Sequence, residues 1–261
     1  MKEQPIGIFD SGVGGTSIWR EIHHLLPLEH TIYLADSRNA PYGEKPEEEI
    51  VRLSIKNTEK LLEMGAKLIV VACNTATTNA IQKLRAKYKV PFIGIEPAIK
   101  PAITNSKTQV IGILATKGTL SSELFAKTSD LYSKNARVVE VVGEGLAKAV
   151  EQGEKDSKKV ENLLSGYLKP MIDADIDYLV LGCSHYPYLL PQLKKLLPPS
   201  VQIIDSGQAV ARQTKNILNS LDLLATTQQH APQFFSNANP AILESLVNTI
   251  EKEYNVEYLD F

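Results

Sequence analysis

The sequence predicts an α/β protein made of two similar parallel-sheet domains, with the active site in the cleft between them. Three observations support this prediction: short apolar runs alternate with helix-period segments, part of the chain repeats, and a cysteine follows a buried strand in each repeat. Continuous apolar strands separated by helices are typical of a parallel sheet that is covered on both faces. The 261 residues are enough for two domains of ordinary size.

Eight segments rich in Ile and Val are predicted to be buried strands, because each is followed by small or polar residues and then by a helix-period segment. They are Pro5–Phe9, Thr31–Ala35, Lys67–Ala72, Pro91–Ile95, Gln109–Leu114, Arg137–Val142, Tyr178–Gly182 and Val201–Ile204. This alternation of strand and helix along the chain is the pattern of a parallel α/β sheet.

An internal repeat divides the chain into two units. Three pairs of segments match in the same order, 105 to 111 residues apart: Ile6–Ser11 with Ile111–Thr116, Leu68–Thr75 with Tyr178–His185, and Val90–Ile93 with Val201–Ile204. The shared order and the cysteine in each half favour two related domains. The first is predicted to comprise residues 1–95 and 210–261 and the second residues 96–209, because the tail has no counterpart in the repeat and is expected to pack on the first unit.

Composition and charge exclude several classes of function. The chain is 43% hydrophobic and 22% charged, as soluble globular proteins are. Its net charge of −2 gives no electrostatic reason to expect a nucleic-acid partner. No apolar run approaches the ~20 residues of a membrane helix, and no export signal is visible before the first strand. We therefore expect a cytoplasmic enzyme or binding protein for a small molecule.

The two cysteines are the residues most suggestive of chemistry. Cys73 and Cys183 are expected to be free thiols in the cytoplasm, and the five histidines show no ligand spacing, so no metal site is predicted. Each cysteine directly follows a predicted strand, where ligands of α/β sheets bind. The next helix would present its N-terminus to an anion, either a substrate carboxylate or the thiolate itself, whose pKa would fall. Burial in the core is the alternative for both cysteines.

Two units that face each other would place one thiol on each side of a bound molecule. A thiolate on one face could then abstract a Cα proton while the opposite thiol donates one, which inverts a stereocentre. The pair would begin the next turnover with its protonation states exchanged. Since the ordinary pKa of a thiol is about 8.5, a modest lowering would make it a base near neutral pH.

The glycine-rich segment after the first strand does not fit a dinucleotide loop. Gly12 and Gly14 are present, but position 17 is Ser17, and the carboxylate of Asp10 would repel a phosphate. Asp10 is better placed to hold a substrate ammonium group or to act on a neighbouring thiol. Asp36 also ends a strand, and its role is left open.

Four segments resemble the signature segments of glutamate racemases and occur in the order of that family: Asp10–Gly15, Pro41–Gly43, Cys73–Thr77 and Gly182–Pro187. The resemblance extends from Ile6 to about Leu221. It implies two α/β domains, no cofactor, and the interconversion of L- and D-glutamate for bacterial peptidoglycan synthesis.

The resemblance also implies roles for individual residues. Cys73 and Cys183 would be the two catalytic thiols. Asp10 would be the auxiliary acid beside Cys73, and His185 the auxiliary group beside Cys183. The substrate-contacting residues that it implies are Asp10, Ser11, Tyr42, Gly43, Asn74, Thr75, Ser184 and His185.

Four further positions qualify this assignment. Thr116 and Thr119 open a helix in the second unit and are expected to bind a substrate carboxylate. Glu151 matches an acid of the family, although a solvated glutamate at a helix end would look the same in the sequence. Ser184 departs from the family, which usually has threonine there; the hydroxyl is kept and a methyl group is lost, so substrate packing should change more than chemistry.

Three alternatives remain open at this level. A racemase of the same superfamily could act on aspartate or hydantoins, since one methylene changes binding by only about 1–3 kcal/mol. A two-domain protein that binds a carboxylate without catalysis would also fit. A dithiol redox protein fits less well, because no Cys-x-x-Cys pair is present. The oligomeric state, including a homodimer, is left open.

Overall fold

Two fully parallel sheets form the framework of the molecule, which confirms the predicted fold class. The computed structural model describes residues 2–132, 136–228, 230–248 and 253–261. The strands in these ranges are β1 (Ile6–Asp10), β2 (Thr31–Ala35), β3 (Leu68–Val71), β4 (Phe92–Gly94), β5 (Val110–Ala115), β6 (Arg137–Val142), β7 (Tyr178–Gly182), β8 (Gln202–Ile204), β9 (Gln233–Ser236) and β10 (Val256–Tyr258). All eight predicted strands are present, and their ends differ from the prediction by at most one residue.

The strand order makes the internal repeat visible. The first sheet has the order β10-β9-β2-β1-β3-β4 and the second the order β6-β5-β7-β8, with parallel pairing throughout. The segment β2-β1-β3-β4 of the first sheet therefore has the same topology as the whole second sheet. Because β3 and β7 occupy equivalent places, the residues that follow them are also equivalent.

Helices connect the strands within the described ranges. They are α1 (Thr16–Leu25), α2 (Glu47–Glu63), α3 (Asn74–Lys87), α4 (Ile99–Asn105), α5 (Lys117–Leu120), α6 (Glu123–Tyr132), α7 (Leu146–Glu151), α8 (Lys158–Asp173), α9 (Leu190–Leu196), α10 (Gly207–Ser220) and α11 (Ala241–Val247). None of these helices combines the length and the apolar character that a membrane crossing requires.

Apolar side chains cover both faces of both sheets. On β1, Ile8 lies in one buried cluster and its neighbour Phe9 in another, because successive strand residues point to opposite faces. Leu179 and Val180 alternate in the same way on β7. Ile8 and Leu179 belong to the same cluster, so the hydrophobic core continues from one sheet to the other.

The tail adds to the first sheet and is anchored by a buried ion pair. Strand β9 pairs with β2, β10 pairs with β9, and α10 packs against α1. Lys67 Nζ lies 2.6 Å from Glu29 Oε2, and both side chains are buried. The same ammonium donates to the carbonyl of Leu223, and Glu29 accepts the amide of Ala225. This ion pair therefore fixes the segment that leads to β9. The domain boundaries given above stay a prediction.

Candidate active site

The two cysteines line one cavity between the sheets. Cys73 follows β3 and Cys183 follows β7, at the carboxyl ends of equivalent strands. The cavity wall comprises Ser11, Pro41, Tyr42, Gly43, Cys73, Asn74, Thr75, Thr116, Ala147, Cys183, Ser184 and His185. Each unit contributes part of this wall, so the cavity exists only where the two units meet.

Most of the site residues predicted from the sequence lie on this wall. The exceptions are Asp10 and Thr119, which are fully buried behind it and contact wall residues through hydrogen bonds. Pro41 and Ala147 also line the cavity and were not predicted. Pro41 belongs to a segment that the sequence singled out, whereas a small apolar residue such as Ala147 gives no signal in a sequence. The chemical roles of all these residues stay a prediction.

The cavity is closed in this structure. Its volume of about 10 Å³ is near the minimum that holds one water molecule. An amino acid of glutamate's size needs several times that space, so the two units must move apart, at least locally, to admit it. A bound substrate would then touch both units at once.

Cys73 is buried as a thiol at the start of α3. Its Sγ accepts the amide of Ala76 at 3.4 Å and donates to Ser11 Oγ at 3.7 Å. Burial, followed by the charge of Asp10, raises the pKa of Cys73 to about 12, and the two hydrogen bonds oppose this rise without cancelling it. The expectation of a lowered pKa is therefore wrong for Cys73 in this closed structure, because desolvation outweighs the helix N-terminus.

Asp10 lies at the end of β1, beside the strand that leads to Cys73. Its side chain is fully buried and accepts two hydrogen bonds of 2.9 Å, one from the amide of Gly12 and one from Ser184 Oγ. Burial raises the pKa of Asp10 to about 6, although nearby His185 and both hydrogen bonds favour the charged form. Asp10 is thus a carboxyl group that changes its charge near neutral pH.

His185 is held between Cys183 and Glu151. Its Nδ1 lies 3.7 Å from Cys183 Sγ, and its Nε2 lies 2.5 Å from Glu151 Oε1. Burial by itself would lower the pKa of His185, but the contacts with Cys183 and Glu151 raise it well above its usual value. The imidazole is therefore held in its protonated form beside the second thiol.

Glu151 is not a solvated helix-end residue. Besides His185, it accepts the amide of Val13 at 2.7 Å and the hydroxyl of Ser37 at 3.1 Å, both from the first unit. Its side chain is only 12% exposed. The structure thus makes Glu151 the partner of His185 within the second unit and an acceptor of hydrogen bonds from the first unit. The sequence had left open whether Glu151 is buried or solvated.

The glycines of the first loop permit this close approach. A Cβ atom at Gly12 would lie 2.0 Å from Glu151 Oε1, and one at Gly14 would lie 2.3 Å from His185 Nδ1. Any side chain at either position would displace the imidazole–carboxylate pair. The need for glycine here comes from the opposite unit, which agrees with the sequence argument against a dinucleotide loop.

A cluster of hydroxyl groups and one amide side chain complete the surroundings of the cavity. Thr75 Oγ1 lies 2.8 Å from Thr116 Oγ1 and 3.3 Å from Thr119 Oγ1, so three hydroxyls from both units meet at one end. Both side-chain polar atoms of Asn74 are buried without a hydrogen-bond partner. These groups offer the hydrogen bonds that a substrate carboxylate requires.

Asp36 anchors the loop that carries Tyr42. The fully buried carboxylate of Asp36 accepts a 2.5 Å hydrogen bond from the Tyr42 hydroxyl and further bonds from the side chains of Asn39 and Asn237. The Tyr42 hydroxyl in turn accepts Asn57 Nδ2 at 3.0 Å. Asp36 therefore positions a wall residue and has no contact with the cavity itself.

Within the described residues, the group best suited to bind a metal ion is Asp10, Glu151 and His185, whose potential ligand atoms all lie within 4.8 Å of one another. These atoms already bind one another or neighbouring donors. In particular, the 2.5 Å contact between His185 Nε2 and Glu151 Oε1 leaves no room for an ion between them. The cluster fits an acid–base network better than a metal centre.

Comparisons with known proteins agree with this geometry. The family model described as Asp/Glu/Hydantoin racemase matches residues 6–214. A curated glutamate racemase from Herpetosiphon aurantiacus is 44% identical over 254 residues, which cover 97% of this chain and 100% of the relative.

Solved structures give the same result. A glutamate racemase isoform from Bacillus anthracis superposes with a TM-score of 0.89 and 32% identity, covering 100% of this chain and 98% of that one. The Escherichia coli glutamate racemase in complex with L-glutamate and the activator UDP-MurNAc-ala gives a TM-score of 0.86 and 33% identity over 98% of both chains. On the strength of these matches along nearly its whole length, the chain belongs to the Asp/Glu/Hydantoin racemase family, a family of isomerases.

Proposed function

We propose that this protein is a glutamate racemase that interconverts L- and D-glutamate with Cys73 and Cys183 as opposed acid/base thiols and without a cofactor. One observation carries the proposal: the two thiols come from different sheets and line the same cavity. A substrate bound there would have one thiol near each face of its Cα atom. Proton removal on one face and proton return on the other inverts the stereocentre.

The substrate itself supplies a reason for the thiol to ionise. In the closed structure, burial raises the pKa of Cys73 to about 12 and favours its neutral form. A bound amino acid brings its ammonium group into the same low-dielectric space, where a positive charge strongly favours a nearby thiolate. The charge of the bound substrate therefore favours the thiolate that abstracts its Cα proton.

Each thiol has one auxiliary acid or base on its own side of the cavity. Asp10 lies on the side of Cys73 and His185 on the side of Cys183. The hydroxyls of Thr75, Thr116 and Thr119 would hold one carboxylate of the substrate. The remaining predicted contacts are supplied by Ser11, Tyr42, Gly43, Asn74 and Ser184.

The relatives favour glutamate rather than aspartate as the proposed substrate. The Herpetosiphon relative is named glutamate racemase, and the Escherichia coli structure contains L-glutamate. The resemblance of the sequence motifs further implies a role in supplying D-glutamate for peptidoglycan in the cytoplasm. Glutamate is thus the proposed small-molecule partner.

Activity without a cofactor tests this proposal directly. After exhaustive dialysis against a chelator, with no pyridoxal phosphate added, the protein should racemise glutamate and exchange its α-proton with deuterated water. Aspartate should react at least about tenfold more slowly, which corresponds to roughly 1.4 kcal/mol in transition-state binding. A carboxylate-binding protein would show no exchange, and activity that returns only with metal or pyridoxal phosphate would contradict the two-thiol mechanism.

A further inference from the structure

A chain of hydrogen-bonding groups runs from Cys183 to Asp10, which lies on the Cys73 side of the site. Ser184 Oγ donates to Asp10 Oδ2 at 2.9 Å. Ser184 Oγ also lies 3.4 Å from His185 Nδ1, and this nitrogen lies 3.7 Å from Cys183 Sγ. At the other end, Ala72 donates its amide to the carbonyl of Phe9, so Asp10 and Cys73 leave neighbouring strands at the same level.

All groups in this chain are shielded from solvent. Asp10, Ser184 and His185 are each at most 2% exposed. His185 Nε2 is fixed by Glu151 Oε1, so the Nδ1 side of the ring faces Ser184 and Cys183. A proton that moves between the two auxiliary groups in the closed site therefore has a direct route through the Ser184 hydroxyl.

The two-thiol mechanism creates a need for such a route, and the inference rests on that proposed function. Each turnover leaves the thiols with exchanged protonation states, so the enzyme that releases D-glutamate is ready only for D-glutamate. Before it can bind L-glutamate productively again, one proton must leave the thiol that gained it and another must reach the thiolate. This return step involves no substrate.

We propose that the hydroxyl of Ser184 is a proton relay that joins Asp10 on the Cys73 side to His185 on the Cys183 side and resets the two thiols between turnovers. In the relay, the Nδ1–H bond of the imidazolium breaks as its proton passes to Ser184 Oγ. The former hydroxyl proton of Ser184 passes to Asp10 Oδ2, which leaves a neutral imidazole and a carboxylic acid. The neutral imidazole then takes the proton of Cys183 and Asp10 gives its proton to the Cys73 thiolate, which restores both auxiliary groups and moves one proton from Cys183 to Cys73. The opposite reset runs through the same steps in reverse order.

Three variants separate a relay from a substrate contact. Ser184→Ala removes the hydroxyl, whereas Ser184→Thr keeps it. Thr116→Val removes a different hydroxyl from the same cavity wall and leaves the chain of groups intact. We expect Thr116→Val to raise the KM for glutamate, because it loses a substrate contact, but not to slow the return step.

The first measurement is a tracer perturbation. A trace of labelled glutamate is brought to equilibrium between its enantiomers, and a large excess of unlabelled L-glutamate is then added. If the return step is slow, enzyme accumulates in the form that binds D-glutamate, and labelled D-glutamate is carried transiently back to the L form. We expect this counterflow in Ser184→Ala at glutamate concentrations at least about tenfold below those needed for the wild type, and no such shift in Ser184→Thr or Thr116→Val.

The second measurement does not require racemisation. With β-chloroglutamate, a thiolate takes the Cα proton, a Cα–Cβ double bond forms and chloride leaves, so a single thiol completes the reaction. The thiol must then lose its proton before the next cycle. With the enantiomer that Cys183 handles, His185 takes this proton while its own proton passes through Ser184 to the Asp10 carboxylate. Ser184→Ala should release one chloride per site in a fast burst and then slow at least about tenfold, while the wild type and Ser184→Thr should show no burst.

The outcomes discriminate clearly. The relay would be overturned if Ser184→Ala showed neither counterflow nor a burst. It would also be overturned if Thr116→Val showed as much counterflow as Ser184→Ala. At saturating β-chloroglutamate, which compensates for a lost substrate contact, a folded Ser184→Ala protein that fails even the first elimination would also overturn it, because the first proton abstraction does not use the relay. Failure of the wild type to racemise glutamate would instead contradict the proposed function, and the relay with it.

Discussion

At the scale of single residues, the surroundings of a side chain decide its chemistry more than its type does. The sequence placed Cys73 at a strand end before a helix, which suggested a lowered pKa, yet burial raises the pKa of Cys73 to about 12. Glu151 likewise changes from an ambiguous helix-end residue to the partner of His185. Both outcomes depend on contacts with residues distant in the sequence, which local sequence does not contain. The positions of Cys73 and Cys183, by contrast, followed from strand ends alone.

Separate replacement of the two cysteines tests their opposed roles. Cys73→Ser and Cys183→Ser should each abolish racemisation without unfolding the protein, because a serine hydroxyl is far too weak an acid and base near pH 7. With β-chloroglutamate, each variant should eliminate chloride from one enantiomer only, and the preferred enantiomer should reverse between the variants. The family resemblance implies that Cys73 handles the D-enantiomer. The same preference in both variants would contradict opposed thiols.

Asp10 should impose a pH-dependent cost on folding. Its pKa is raised from 3.8 to about 6 by burial, so between these values the folded state binds more protons than the unfolded state. The ionisation of Asp10 therefore does not reduce the free energy of unfolding below pH 4. This free energy falls as the pH rises to 6, and above pH 6 it is lower by about 3 kcal/mol. In Asp10→Asn, turnover should fall more than glutamate binding, while this loss of stability disappears.

Chemical denaturation at pH 4 and pH 7 measures the effect of Asp10. The unfolding free energy of Asp10→Asn relative to wild type should increase by about 2–3 kcal/mol between the two pH values. Asp173→Asn is the control, because Asp173 is exposed and its relative stability should change by less than about 0.5 kcal/mol. A pH-independent difference for Asp10→Asn would show that its carboxyl group ionises normally in the folded protein.

At the scale of elements, the strands of the repeat were predictable from their apolar runs, whereas the two strands of the tail were not. The eight strands of the repeat were predicted because each is an apolar run followed by a helix. Strands β9 and β10 were not, since their composition is mixed and they have no counterpart in the repeat. Pairing of β9 with β2 and of β10 with β9 stabilises them, which is a long-range effect. The end of β9 nevertheless reaches the site, because Asn237 binds the Asp36 carboxylate that holds Tyr42.

Asn237 should therefore affect the Tyr42 loop from a distance. Asn237→Ala removes a donor to Asp36 and an acceptor for the amide of Arg38, and leaves a buried carboxylate with fewer partners. We expect a loss of about 1–3 kcal/mol in unfolding free energy and a higher KM for glutamate. Asn219→Ala, at an exposed position of α10, is the control and should change neither. An unchanged KM for Asn237→Ala would separate the tail from the site.

At the scale of the whole molecule, the repeat predicted a cleft with one thiol from each unit but could not predict how far the cleft is closed. Closure is set by hydrogen bonds between the units. Ser17 Oγ donates to the carbonyl of Ser184 at 2.9 Å, and Thr16 Oγ1 lies 2.5 Å from the Tyr188 hydroxyl. These bonds join α1 of the first unit to the segment after Cys183. Because glutamate must enter a cavity of about 10 Å³, we expect such bonds to break and reform in each turnover.

Tyr188→Phe tests whether this tether controls access. The variant keeps the ring but loses the bond to Thr16, so the open form should become more populated and the closed form less. Removal of one such bond costs about 0.5–1.5 kcal/mol, which predicts a KM for glutamate raised about twofold to tenfold with a smaller change in kcat. Hydrogen exchange should increase in the amides of the first loop and of the segment after Cys183, while exchange in the cores of both sheets stays unchanged.

Tyr167→Phe provides the matched control, because the Tyr167 hydroxyl donates to the carbonyl of Glu144 within a single unit. It should alter neither the KM nor the exchange of the loop amides. If Tyr188→Phe and Tyr167→Phe behave alike, the Thr16–Tyr188 bond does not govern closure. A Tyr188→Phe variant with a raised KM but unchanged exchange would place its effect on substrate contacts, and would leave the cleft to be closed by the remaining bonds of Ser17 and Glu151 across the interface.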